Sequence, residues 1–303
     1  MKKFISKLIL FILTFIFILA LAFALPATPR VSKSLLFGKI KKDSLLKNSL
    51  SPKIIFIGGS NLSFGLNSQI IKDSLRHNPI NTAIHASIGL QHMMNNTIQY
   101  VNEGDIIVIA PEYQQFFGRF VYGGEELLRT IAEVKYAPLK INQIKNIYKF
   151  FPKLAFSKIN PFNYIFVRES DVYSVNSFNE YGDVYTHWGL EQRKIVPTLG
   201  IDHDYNPNTL KLIDDFRIRL NKKNASLYIT YPSFQASSFD NNIKQIKKVE
   251  DELINSGFEL LGYPERYRMN DSLMFDTTYH LSKKGVDLRT QLLIEDIKKS
   301  IKN

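Results

Sequence analysis

No cysteine occurs among the 303 residues, which excludes disulfides, thiolate metal sites and a cysteine nucleophile. The compartment stays open, although a chain without thiols suits an oxidising envelope. Neither an internal repeat nor a low-complexity block is present, so a solenoid or array is excluded. Acidic residues are the scarcer charge, 28 Asp and Glu against 39 Lys and Arg, for a formal net charge of +11. The lysines are scattered, which favours a compositional bias over attraction to an anionic surface. No nucleic-acid-binding motif accompanies the charge, so no nucleic acid is expected as partner. Hydrophobic residues make up 45% and aromatics 13% of the chain, enough for one large domain or one domain with a sizeable insertion, and too much for disorder.

The N-terminus carries the first positive signal. Lys2, Lys3 and Lys7 precede an apolar run from Leu8 to Leu25, interrupted only by Thr14. At 1.5 Å per residue such a run spans roughly 27 Å, close to the hydrocarbon core of a bilayer. Ala22-Phe23-Ala24 is an acceptable signal cleavage pattern, but the run is long for a signal peptide and Pro26 and Pro29 read as the end of a spanning helix. An uncleaved anchor over residues 1–26 is therefore expected, with the lysines ahead of it in the cytoplasm and the rest outside. Cleavage would leave a secreted protein. Residues 27–50 read as a polar linker with one amphipathic stretch.

From residue 51 onward short apolar runs alternate with helical patterns. Lys53–Gly59, Ile80–Ala86, Asp105–Pro111, Ser226–Pro232 and Gly257–Gly262 read as strands. Helices are predicted around Asn67–Arg76, Leu90–Val101, Asn208–Leu220, Asn242–Asn255 and Lys283–Ile301. This alternation predicts an α/β fold with a doubly wound, mostly parallel sheet. Residues 112–205 break the pattern and read as an insertion with helices near Glu125–Ala132 and Ile141–Phe151. In open α/β sheets ligands bind at the carboxyl ends of the strands, so chemistry is sought just after each strand.

Two segments there carry candidate catalytic groups. Gly58-Gly59-Ser60-Asn61 follows the first strand, where glycines permit a sharp turn and Ser60 either caps a helix or acts as a nucleophile. Near the C-terminus, Phe275–Leu281 places Asp276 and His280 in a loop before the last helix. A serine needs a base, and the base needs an acceptor to orient it; one loop holding both an Asp and a His supplies the pair. His85 and His92 lack a matched carboxylate set, so no metal site is expected, and no cofactor.

Together these segments resemble the SGNH/GDSL hydrolase superfamily over about residues 53–303, less the insertion. Gly58-Gly59-Ser60-Asn61 is similar to its first block, with Gly59 in place of the usual Asp. Ala86-Ser87-Ile88-Gly89-Leu90 is similar to the second, which implies Gly89 as an oxyanion donor. Phe275–Leu281 is similar to the last, which implies Asp276 and His280 as acid and base, here with three residues between them instead of two. The third block, normally Gly-x-Asn-Asp with an oxyanion-donating Asn, is replaced by Pro111-Glu112-Tyr113-Gln114. A carboxylate donates only when protonated, so Tyr113, Gln114 or Asn61 is expected to substitute, with Glu112 turned toward Arg168 or His187 on the insertion. The departures resemble the membrane-anchored cell-envelope branches, alginate-acetyltransferase-like and teichoic-acid D-alanylation-like.

The resemblance implies a flavodoxin-like three-layer α/β/α fold and a serine esterase or O-acyltransferase acting on an acylated small molecule, glycan or lipid of the cell envelope. The alternative is a catalytically degenerate envelope assembly or binding protein. Ser177–Gly189 in the insertion, dense in Asn, Asp, His and aromatics, reads either as a substrate lip, with Trp188 stacking on sugars and Asn179, Asp183 and His187 bonding hydroxyls, or as a loop packed on the core.

Overall fold

Every residue of Lys53–Gly58 is buried, as expected for a strand covered on both faces, and this strand (β1) lies inside a five-stranded parallel sheet. The computed structural model describes residues 1–165, 167 and 170–301. The other members of the sheet are β2 (Asn78–Asn81), β3 (Ile106–Ala110), β4 (Ser226–Thr230) and β6 (Leu260–Leu261), in the order β2-β1-β3-β4-β6. Between β4 and β6 in sequence lies β5 (Phe234–Gln235), which pairs in parallel with β7 (Arg268–Met269) as a separate two-stranded sheet. With β5 and β7 set aside, this is the flavodoxin-like order, whose switch point falls between β1 and β3.

Alternation along the strands sorts side chains to two faces. Ile55, Ile57, Ile107, Ile109 and Ile229 join the helices Leu90–Thr97, Asn208–Asn221 and Ile243–Asn255 through Met94, Phe216 and Val249. Ile54, Phe56, Val108 and Ala110 pack on the other face with Ile71 of the helix Ser68–Leu75 and with Leu293, Ile294 and Ile297 of the helix Lys283–Ile301. The result is three layers, α/β/α.

Two expected strands are shorter than their apolar runs. β2 ends at Asn81, whose N–H is donated to Tyr181 O of the insertion, and only Leu260–Leu261 of the last run pairs with the sheet. Residues 29–48, read from sequence as a linker with one amphipathic stretch, carry the helices Pro29–Ser32 and Lys39–Asn48. Lys39, Lys42, Asp43 and Leu46 of the second are buried. The insertion contains the helices Glu125–Arg129, Ile141–Ile147 and Phe151–Ile159. With Val31, Leu35 and Leu36 it builds a third apolar cluster, over the carboxyl edge of the sheet, that also takes in Phe64, Ile84 and Phe275.

The first helix, Lys2–Ala24, is the one among the described residues long and apolar enough to cross a membrane. Its C-terminal end is tied to the domain: Ala22 is buried, the Phe23 and Phe151 rings lie 5.5 Å apart, and Lys158 Nζ donates to Leu25 O at 2.7 Å.

Candidate active site

The strand-end turn after β1 sets the first group. Gly59 caps the single helical turn Ser60–Ser63, and Phe64 N donates back to Ser60 O at 2.8 Å. Ser60 is thereby held at the carboxyl edge of the sheet.

Asp276 and His280 come from a loop closed on itself. Phe275 N donates to His280 O at 2.8 Å, and Met274 bridges Leu281. This pinch brings the two side chains together despite the extra residue between them: His280 Nδ1 lies 2.8 Å from Asp276 Oδ1. Burial alone would raise the Asp276 pKa, but the bond and charge of His280, followed by Tyr173, outweigh it and hold it below the usual range. An ionised Asp276 accepts a proton held on His280 Nδ1, which leaves Nε2 of the neutral ring free to accept. The face of the imidazole stacks on Phe64, with ring centroids 4.0 Å apart and planes 8° from parallel.

Ser60 and His280 line one cleft of about 350 Å³, together with Glu112, Gln114, His85 and Tyr173. Two of these were not assigned a role in sequence. Tyr173, from the insertion, donates its hydroxyl to Asp276 Oδ2 and lies 3.2 Å from His280 Nδ1. No local motif marks it; only the fold brings it to the acid and base. His85 accepts Ser87 N–H on Nδ1 at 3.1 Å, so its Nε2 carries the proton.

Glu112 sits at the end of β3, as the N-cap of the short helix Tyr113–Phe116. Gln115 locks it there, with Glu112 N donating to Gln115 Oε1 at 3.1 Å. Its carboxylate faces Ser60 rather than the insertion: Oε1 accepts from Ser60 Oγ and from Asn61 N–H, each at 3.2 Å. The expected tether to the insertion is corrected on that point, because His187 instead bonds Leu281 O at 3.0 Å; Arg168 lies outside the described residues. Burial, opposed by bonds from Asn61 and Ser60, pushes the Glu112 pKa up to about 7. A Cβ on Gly59 would stand 2.4 Å from Glu112 Oε1 and 2.7 Å from the Ala86 Cβ. The glycine at position 59 therefore makes room for this carboxylate.

Other expected donors are occupied or elsewhere. Gly89 N–H is bonded to Ala86 O at 2.9 Å. Asn61 spends its side-chain N–H on Ala110 O at 3.1 Å. Tyr113 is fully buried and packs edge-on against Phe234. Gln114 alone of the substitutes lines the cleft. In the insertion, Trp188 packs on the core beneath Lys283, away from the cleft lining. His187 is buried between Phe64 and Phe275, with both centroid distances 5.1 Å. Asp183 is fully buried and binds Ser68 N, Ser68 Oγ, Asn81 Nδ2 and Asn179 Nδ2 at 2.8–3.1 Å. The Ser177–Gly189 stretch is thus a packed brace instead of a substrate lip.

No family model and no curated protein matches the chain. Among solved structures it is similar to protein YxiM of Bacillus subtilis, at 13% identity and a TM-score of 0.39, over 82% of this chain and 57% of that one. It is also similar to an acetyl xylan esterase, Est2A, from the rumen bacterium Butyrivibrio proteoclasticus, at 15% identity and a TM-score of 0.31, over 84% and 65% of the two chains. The chain spans less than two thirds of the length of either. Similarity at these scores carries no weight for function, which has to be read from the cleft itself.

Proposed function

We propose that the chain is a serine-dependent acyl hydrolase or O-acyltransferase of the SGNH type, tethered by Lys2–Ala24 outside the cytoplasm and acting on an acylated glycan or lipid of the envelope. The supporting observation is that Ser60, from the first strand end, and His280, from the last loop, line one cleft, with Asp276 bonded to His280 Nδ1 behind it. Ser60 Oγ attacks the acyl carbonyl and passes its proton to His280 Nε2, while Asp276 holds Nδ1–H and Tyr173 holds Asp276. The backbone N–H groups of Ser60 and Asn61, both held by Glu112, would serve the developing oxyanion once Glu112 releases them. His280 then protonates the leaving alcohol. Water or an acceptor hydroxyl resolves the acyl-enzyme, with His280 again as base. Leu35, a short way past the apolar run, also lines the cleft, which suits a substrate held at or near the membrane.

The test is reaction of the full-length protein, in detergent micelles, with a fluorophosphonate probe. One label per chain is expected, lost in Ser60→Ala and slowed about 100-fold or more in His280→Ala. A folded wild-type protein that takes no label would overturn the hydrolase reading in favour of a degenerate binding or assembly protein.

A further inference from the structure

Between Val134 and Ile165 the chain carries six lysines, Lys135, Lys140, Lys145, Lys149, Lys153 and Lys158, and no aspartate or glutamate. The overall scatter of lysine hides this local asymmetry. The helices of the same segment turn apolar side chains outward. On Ile141–Ile147, positions 141 and 144 are exposed while Gln143 and Ile147 are buried. On Phe151–Ile159, Leu154 and Ala155 face inward while Phe156 is 66% exposed and Ile159 also lies open. Ile165 beyond them is 68% exposed, and Tyr136 and Tyr148 are exposed as well. An apolar face of this kind on a water-soluble surface is costly and marks an interaction site.

What covers it is indicated by position. The helix Phe151–Ile159 is the one against which the apolar N-terminal helix ends, through Phe23 on Phe151 and Lys158 on Leu25 O. The exposed face therefore lies where Lys2–Ala24 leaves its apolar surroundings. Aliphatic and aromatic side chains flanked by lysines are the composition of a helix lying in the headgroup region of an anionic bilayer, and tyrosines favour the same depth. We infer that residues 136–165 form a second, interfacial membrane contact, with Phe156, Ile159 and Ile165 in the acyl boundary and Lys145 and Lys149 on anionic headgroups. The contact rests on Lys2–Ala24 being the membrane-spanning tether, and would hold the domain in one orientation over the bilayer.

The absence of native cysteine permits a direct test. Single-cysteine variants of the full-length chain at Leu13, Phe156, Ile159 and Ile218 are labelled with an environment-sensitive dye. They are then reconstituted in phosphatidylcholine vesicles with or without phosphatidylglycerol. Ile218 lies on the distant helix Asn208–Asn221 and is exposed. Labels at 156 and 159 should be shifted to the blue and quenched several-fold more by shallow lipid nitroxides than the label at 218, which stays open to aqueous iodide. Replacing Lys145 and Lys149 with Gln should reduce that quenching in the anionic vesicles. Labels at 156 and 159 that behave like 218, while 13 remains in the bilayer, would overturn the interfacial contact and leave the tether standing. Aqueous behaviour at all four sites would overturn both. Equal quenching with and without phosphatidylglycerol, unaffected by the lysine changes, would overturn the anionic-lipid assignment.

Discussion

In the proposed reaction Glu112 is the residue that sets the pH dependence. Its position beside Ser60 follows from the end of β3 neighbouring the end of β1. Its orientation did not follow, because a carboxylate in sequence gives no sign of which donor it will take. Gln115 fixes the backbone and Gly59 leaves the space, so the side chain points at Ser60 Oγ and Asn61 N–H. With a pKa pushed by burial from the ordinary 4.5 to about 7, Glu112 is neutral on the acid side and charged above it. The charged form holds the donor that an oxyanion needs and repels the negative charge developing there. The rate of Ser60 phosphonylation should therefore fall as pH rises through about 7. Glu112→Gln should remove the falling limb and speed the reaction above pH 7, by up to roughly tenfold for each 1.4 kcal/mol of repulsion relieved. Stability carries the same sign. A carboxyl with a raised folded pKa contributes fully below its unfolded value and loses that contribution as pH rises through 7. A wild-type rate that climbs steadily into the alkaline range, with Glu112→Gln unchanged, would remove Glu112 from the reaction.

At the scale of elements, the apolar runs were legible as strands and the 3.6-residue patterns as helices, because burial on both faces of a parallel sheet leaves so plain a mark. The insertion was legible as an interruption but not in its purpose. Its dense polar stretch looked equally like a lip and a brace, since Asn, Asp and His serve both. Contacts alone decide, and Asp183 decides for the brace: it fastens the insertion to the helix Ser68–Leu75 and to the end of β2. Tyr173 reaches Asp276 from the same insertion, so the insertion also positions the Asp276–His280 pair. Asp183→Ala would strand three buried donors, on Ser68 and Asn81, and the part-buried Asn179 amide, each buried one costing about 1–3 kcal/mol when unsatisfied. A loss of about 3–5 kcal/mol in chemical denaturation is expected after partial relaxation, with faster proteolysis between residues 112 and 205. Glu112→Gln should leave that proteolysis unchanged. An Asp183→Ala protein as stable and as resistant as wild type would show that the insertion is held by its apolar cluster alone.

For the whole molecule, the strand order and the meeting of both chain ends of the domain at one sheet edge were implied once βα alternation was recognised. What sequence left open was whether the apolar N-terminal run is kept, and how firmly its flanking charges fix its direction. Of the basic residues after the run, Lys39 is buried against Asp43, and Lys42 is buried with its Nζ on the carbonyls of Ala83 and Gly182. Lys2, Lys3 and Lys7 are therefore expected to set the direction, with the N-terminus in the cytoplasm. Cleavage after Ala24 would also sever Phe23 from Phe151 and uncover the pocket around Ala22, removing contacts that the insertion has already built. A C-terminal alkaline phosphatase fusion should therefore be active in intact cells. The untagged chain should be recovered from membranes at its full 35.0 kDa, resistant to alkaline carbonate extraction. An inactive but abundant fusion would reverse the topology. A soluble product lacking residues 1–24 would show instead that the helix is a signal, and that the ring of Phe151 is left open to solvent in the mature protein.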